Sequence, residues 1–493
     1  MAVRVRAWLL ACTTLLILLV PIAVAGTVVA ATDRGHGAIA ASQPYGGAVT
    51  SAPTQAASVT RQAYDLLLDN FVTPPPPGSL LAAAASEVGR RASDRGAAAL
   101  TVPLAAPLFA VDASRDDAWQ AFEAWLDRAV PLLAPVIDRA ALDDIVVRAL
   151  TAAVSEHHTR YLDPRQNEEH QAWRRGEVRY DGIGARLRRP STVVLEVFDG
   201  SPAARAGLRT GDKIVEVDGE WVGGGTSENA IGKIRGSLGS TVQIAVERRG
   251  VPGVLHFALE RAEIKLPFVR WDVIERSDGR KIGYLQIRGF PEPSVDERVG
   301  QALAEIDQRS VDGLILDLRG NSGGRIDVGM KVASRFLRDG VVFQQVDRSG
   351  RERQVRPANG QYWERSIPMV TLVDGGTASM GEILGSALQE AGAARVVGTQ
   401  TAGSVAGARL FPLANGGALQ ITVLTITSGR GTVLNDVGMT PDVAIDFSDD
   451  DLLGGVDVQL ETGIRSLNVG ARQAGVTLAP APSPAPFVAG LAA

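Results

Sequence analysis

The stretch Gly313-Leu314-Ile315-Leu316-Asp317-Leu318-Arg319-Gly320-Asn321-Ser322-Gly323-Gly324 is an apolar run that meets charge and then dissolves into glycines. A short apolar run bounded by a turn signal reads as a strand followed by a sharp turn. Upstream, Ile282-Gly283-Tyr284-Leu285-Gln286-Ile287 has the same strand character, and residues 295–307 between the two runs carry a helical pattern. Strands alternating with helices predict an α/β core.

A second junction of this kind follows. Val373-Asp374-Gly375-Gly376-Thr377-Ala378-Ser379-Met380-Gly381-Glu382-Ile383 continues the strand-like Met369–Val373 and opens a helix expected over Glu382–Glu390. A serine at a strand-turn-helix junction has an exposed hydroxyl. The N–H of the next residue, Met380, and the helix dipole both favour negative charge beside it. The turn ending in Gly323 and Gly324 can likewise point backbone N–H groups at a developing oxyanion. The bland alternative is that Ser379 only caps its helix.

Working outward, the predicted α/β core covers residues 263–476, and residues 178–262 form a β-rich module before it. Short runs such as Thr192-Val193-Val194-Leu195 and Val242-Gln243-Ile244-Ala245-Val246 are its strands. Gly200-Ser201-Pro202-Ala203-Ala204-Arg205-Ala206-Gly207-Leu208, leading into Gly211-Asp212-Lys213-Ile214-Val215-Glu216-Val217-Asp218-Gly219, resembles the PDZ domain. That resemblance implies a loop, Gly182-Ile183-Gly184, whose N–H groups take a terminal carboxylate while the peptide adds to a sheet edge. The plain alternative is a turn between strands. Residues 57–177 are helical in pattern: Trp119, Phe122, Leu126 and Val130 recur at helical spacing, as do Leu142, Ile145, Val146 and Leu150, with Pro74–Pro77 breaking the region. Residues 32–56 read as a flexible tether. Residues 477–493 read as an Ala/Pro-rich tail. Arg4 and Arg6 before the uncharged stretch Trp8–Ala31 predict an export signal over residues 1–31, or an uncleaved membrane anchor formed by residues 8–31.

Composition narrows the function further. A chain of 493 residues has room for about three domains. Fifty basic against 55 acidic residues argue against broad nucleic-acid binding. The one cysteine, Cys12, lies in the export segment, which excludes disulfide frameworks and cysteine-built metal sites in the folded body. With five histidines in the chain, a His-rich metal centre is not expected.

The two glycine-bearing junctions, together with Gly398-Thr399-Gln400-Thr401-Ala402-Gly403, Gly438-Met439-Thr440-Pro441-Asp442 and Tyr161-Leu162-Asp163-Pro164, resemble the carboxy-terminal processing (tail-specific) serine proteases. The resemblance spans about residues 140–445. It implies an α/β protease core with an inserted PDZ domain and a helical amino-terminal region. It also implies Ser379 as nucleophile, an oxyanion hole from Met380 and Gly323 or Gly324, protein or peptide carboxy termini as partners, and neither metal nor organic cofactor. One element departs from the pattern. The family places a lysine 25 residues beyond the nucleophile, and Ser404 stands there. None of the five lysines (Lys213, Lys233, Lys265, Lys281 and Lys331) lies in a catalytic motif.

Two readings follow from that departure. The protein is a catalytically inactive relative acting as a peptide-binding scaffold, or another residue supplies the base. Glu156-His157-His158-Thr159 is similar to the Asp-x-His-Thr motif of the tricorn-type branch, whose histidine is the base, and His158 falls on that position. The same branch uses a carboxylate before Gly-x-x-Pro-Asp to hold the ring. Asn435, with Asp436 beside it, occupies the matching place. The bland reading of His157 and His158 is a polar helix end. An esterase acting on non-peptide substrates has nothing beyond a serine in its favour.

Overall fold

A computed structural model describes residues 58–96, 109, 113–154, 156–177, 179–265, 267–358, 360, 362–364 and 367–467. The expected export segment 1–31, tether 32–56 and tail 477–493 lie outside the described residues. The chain divides into two units. The first holds residues 1–174, 347–351 and 406–425, and the second holds 175–346, 352–405 and 426–493.

The first unit is built on the helices Val59–Asn70, Pro77–Asp94, Arg115–Leu133 and Arg139–Ala152. The periodic residues of the sequence are the ones that pack: Trp119, Phe122, Leu126, Leu142, Val146 and Leu150 are all buried in one core. Ser58, Ser114 and Asp138 accept hydrogen bonds from N–H groups in the first turns of their helices. Pro77 sits in the first turn of its helix, where no backbone N–H is needed. The strand Ala418–Ser428 lies between Arg160–Leu162 and Gly407–Pro412, antiparallel to both. Tyr161, Phe411, Leu413, Leu419 and Ile421 close the helical core. Residues 406–425, remote in sequence from the helices, thus share their hydrophobic core.

The second unit contains a six-stranded sheet in the order Val269–Glu275, Lys281–Ile287, Gly313–Asp317, Met369–Val373, Arg395–Gly398 and Val443–Ala444. The first pair is antiparallel and the rest are parallel. The helix expected over 295–307 is Ser294–Gln308 and crosses over between two parallel strands. The apolar run at 313–318 has its physical reason here, because both sheet faces are covered. Leu314, Leu316 and Leu318 pack with the helices Ser294–Gln308, Ile326–Phe336 and Met380–Glu390. Ile315 packs on the other face with Ile464 and Leu467.

The PDZ-like part has a sheet in the order Glu220–Trp221, Lys213–Val217, Thr241–Glu247 and Val254–Glu260. It also has the hairpin Ala185–Leu187/Val194–Val197 and the helices Pro202–Ala206 and Ser227–Ile234 around its own core. Glu196 of this hairpin pairs with Arg288, which follows the core strand Lys281–Ile287. No helix among the described residues is long and apolar enough to cross a membrane.

Leu316 is fully buried in the central strand. Leu316→Ala is expected to cost about 2–5 kcal/mol of stability, measurable as a lowered urea midpoint with an unchanged slope.

Candidate active site

Parallel strands in register end on the same edge of a sheet. Leu314 stands opposite Met369, and Asp317 opposite Leu372. The turns after Gly313–Asp317 and Met369–Val373 therefore emerge side by side, and hydrogen bonds join them. Ala378 N–H donates to the Asn321 carbonyl (2.8 Å), Thr377 Oγ1 to the Leu318 carbonyl (2.9 Å), and Gly320 N–H to Asp374 Oδ1 (2.8 Å). Asn321 is fully buried, and its Nδ2 donates to the Ile287 carbonyl at 2.8 Å.

Ser379 stands at the head of the Met380–Glu390 helix with φ 53° and ψ −121°. A non-glycine residue there is strained by about 1–3 kcal/mol and persists only when its surroundings hold it. Two contacts do so. Ser379 N–H donates to Glu382 Oε2 at 3.0 Å. Gly323, at φ +88°, lies so close that a Cβ on it would fall 2.6 Å from Ser379 Cβ and 2.9 Å from Met380 N. The helix also starts two residues earlier than the expected Glu382, so Met380 is its first residue.

Gly323 or Gly324 is the glycine expected at an oxyanion hole, and the two are not equivalent. Gly323 N–H donates to Asn321 Oδ1 at 2.8 Å, which commits it. The N–H groups of Gly324 and Met380 have no hydrogen-bond partner among the described residues.

Glu382 escaped the sequence reading as a site residue. It is fully buried. Besides Ser379 N–H, it accepts from Thr401 Oγ1 (2.5 Å), Gly403 N–H (2.8 Å) and Ser404 N–H (2.9 Å). One carboxylate thus fastens the Ser379 turn to the segment carrying Ser404. The Ser-x-x-Glu spacing of a capping box was the available signal. Below the glycine turn, fully buried Asp317 is clamped by Arg319 Nη2 (2.7 Å) and Tyr284 Oη (2.6 Å), and Arg319 reaches on to Asp457 (2.9 Å). Burial would raise the Asp317 carboxyl, but the adjacent guanidinium holds it below the ordinary carboxylate range.

In the first unit, His158 is buried and His157 is exposed. The Nδ1 of His158 is 2.7 Å from Glu156 Oε1. The same carboxylate accepts from His158 N–H (2.9 Å), Thr159 N–H (2.8 Å) and Thr422 Oγ1 (2.8 Å). Burial would raise the Glu156 carboxyl, but the His158 ring and the other donors pull it down to about 2. Asn435, the expected orienter, makes two hydrogen bonds in the second unit. Its Oδ1 accepts from Val405 N–H (3.1 Å) and its Nδ2 donates to Asp436 (2.9 Å). Nδ1 of His158 has its carboxylate within its own turn.

In the PDZ-like part, Gly182 ends the strand Arg179–Gly182, Ile183 is buried and Gly184 adopts φ +79°. Ala203 N–H takes up the Ile183 carbonyl, and Phe198 N–H and Ser201 Oγ take up that of Gly184. A Cβ on Gly184 would stand 2.2 Å from Ser201 Cβ, so glycine is required there. Among the described residues, no group of three or more His, Cys, Asp or Glu could hold a metal ion.

Residues 281–445 match Peptidase family S41, and residues 193–248 match the PDZ domain. The chain is 30% identical over 331 residues to a carboxyl-terminal-processing protease of Synechocystis, across 66% of this chain and 76% of that protein. It is 27% identical over 337 residues to the carboxy-terminal processing protease CtpB of Bacillus subtilis, across 68% and 69% of the two chains. Among solved structures, a photosystem II D1 C-terminal processing protease superposes with a TM-score of 0.49 at 24% identity, covering 79% of this chain and 92% of that one. With two ordered turns around a serine, a PDZ domain and this degree of identity to proteins of one kind, the chain belongs to the carboxyl-terminal processing proteases of serine peptidase family S41.

Proposed function

We propose that this protein is an exported serine endopeptidase that captures protein carboxy termini through its PDZ domain and cleaves them through an acyl-enzyme at Ser379. The observation that carries the reading is the backbone of Ser379: a strained φ at a strand-helix turn, held by Glu382 and pressed against a glycine that admits no side chain. Strain of this kind is kept where it positions a reacting group. His158 takes the proton from Ser379 Oγ as the hydroxyl attacks the scissile carbonyl, and the oxyanion forms between the N–H groups of Gly324 and Met380. The imidazolium then gives its proton to the leaving amine, and water, deprotonated by the same ring, releases the acyl group. Asn435 supports the segment after Ser404.

The N–H groups of the Gly182-Ile183-Gly184 loop receive the terminal carboxylate of the substrate, and residues 178–262 act as the tail-binding part beside the 263–476 core. Residues 1–31 direct the chain out of the cytoplasm. A second reading, a catalytically inactive peptide-binding scaffold, is favoured by one observation, Ser404 in the place of the family's lysine.

A fluorophosphonate probe is expected to label the wild-type protein and not Ser379→Ala. Equal absence of labelling in both would favour the scaffold. His158→Ala is expected to lower turnover by about 10²–10⁴-fold with tail-peptide affinity unchanged. Gly323→Ala is expected to abolish labelling while sparing tail binding, because its Cβ would displace Ser379. Amidating the terminus of a bound peptide is expected to weaken its affinity roughly ten- to a hundredfold. Equal affinity for acid and amide, measured by fluorescence anisotropy, would refute carboxylate capture.

A further inference from the structure

We propose that Glu156 is the positioning carboxylate of the reaction, holding the His158 ring through Nδ1 so that Nε2 is the nitrogen that accepts the serine proton. The inference rests on the reading of His158 as base and adds the group that prepares it.

The geometry excludes a loose surface pair. Glu156 Oε1 meets both the backbone N–H and the Nδ1 of His158, at 2.9 and 2.7 Å. Its Oε2 is fixed by Thr159 N–H and by Thr422 Oγ1 from the strand Ala418–Ser428, each at 2.8 Å. Thr159 Oγ1 in turn accepts from Thr422 N–H at 3.1 Å, so the turn is anchored to the strand at two points. The His158 side chain is 8% exposed and that of Glu156 18%, which removes most competing water.

An ionised carboxylate only accepts hydrogen bonds. The Nδ1 facing it must therefore carry the hydrogen, and the neutral ring is left with its lone pair on Nε2. The same charge favours the imidazolium that forms when Nε2 takes a proton. With its carboxyl held at about 2, Glu156 stays ionised through the whole range in which a histidine titrates. His157 is exposed, and the Arg160 guanidinium turns to Gln420 Oε1 at 3.2 Å. The neighbouring strand presents the hydroxyl of Thr422 and the amide of Gln420 to this turn.

Glu156→Gln keeps the shape and removes the charge. In the full chain it is expected to lower kcat by about 10- to 100-fold. KM and tail-peptide affinity should stay unchanged. The pH profile of acylation is expected to move, because the imidazolium has lost its anion. A purely structural Glu156 would lower thermal stability and leave the pH profile of the folded, probe-titrated fraction unmoved, which would overturn the proposal. Nitrogen-15 NMR of histidine-labelled wild-type protein supplies a readout independent of that variant's folding. A neutral His158 protonated on Nδ1 supports the proposal, and one protonated on Nε2 overturns it while leaving a dead His158→Ala to uphold the base assignment. Near-wild-type turnover by His158→Ala would instead defeat the base reading, and the catalytic role of Glu156 with it.

Discussion

Two neighbouring parallel strands must release their chains on the same edge of the sheet, and the rest of the candidate site depends on that constraint. The turn at 318–324 and the turn at 374–381 have no freedom to separate, since Asn321, Asp374 and Thr377 bond across them. Backbone approaches backbone so closely that residue 323 cannot carry a side chain. The proximity sets Gly323 against both Ser379 and the Met380 N–H. Ligand sites outside the carboxyl ends of parallel strands are a general consequence of this topology.

Buried and half-buried carboxylates then hold the pieces in place. A charge removed from water is costly unless it is hydrogen-bonded or paired. Glu382 is met by three backbone N–H groups and a hydroxyl. Asp317 is met by Arg319 and Tyr284. Glu156 is met by an imidazole, two N–H groups and a hydroxyl. Each carboxylate joins segments remote in sequence, so each is both an expense satisfied by donors and a fixed point. The donors around Glu382 also explain how Ser379 can keep a φ of 53°: leaving that conformation breaks a bond to a group that has no water to turn to.

Much of this was legible without coordinates. Apolar runs and glycine breaks marked the strands at 282–287 and 313–317, and the helix between them. The serine at a strand-helix junction and the glycine turn were visible as local patterns, because backbone strain and close approach leave a local trace in residue type. The same holds for the Gly182-Ile183-Gly184 loop, where position 184 admits glycine alone. The helical periodicity at 119–126 and 142–150 likewise mapped directly onto buried residues, since one face of each helix had to find a core.

Other features were decided by pairings across long stretches of chain. Spacing alone did not distinguish Gly323 from Gly324. The difference is that Asn321 Oδ1 turns back to take the first N–H. Nor did alignment point to the carboxylate that meets His158 Nδ1. The anchoring of that carboxylate, Glu156, depends on Thr422, 266 residues away. Residues 406–425 join the core of helices that begin at Val59, for the same reason that any edge of a core needs apolar cover from wherever the chain returns. The sequence by itself determined the fold class, the two turns and the serine, because these are written in short-range residue patterns. Which donor stays free and which carboxylate grips which ring was decided only by the tertiary structure, because hydrogen bonds compete in three dimensions and each donor is spent on the acceptor that folding brings nearest.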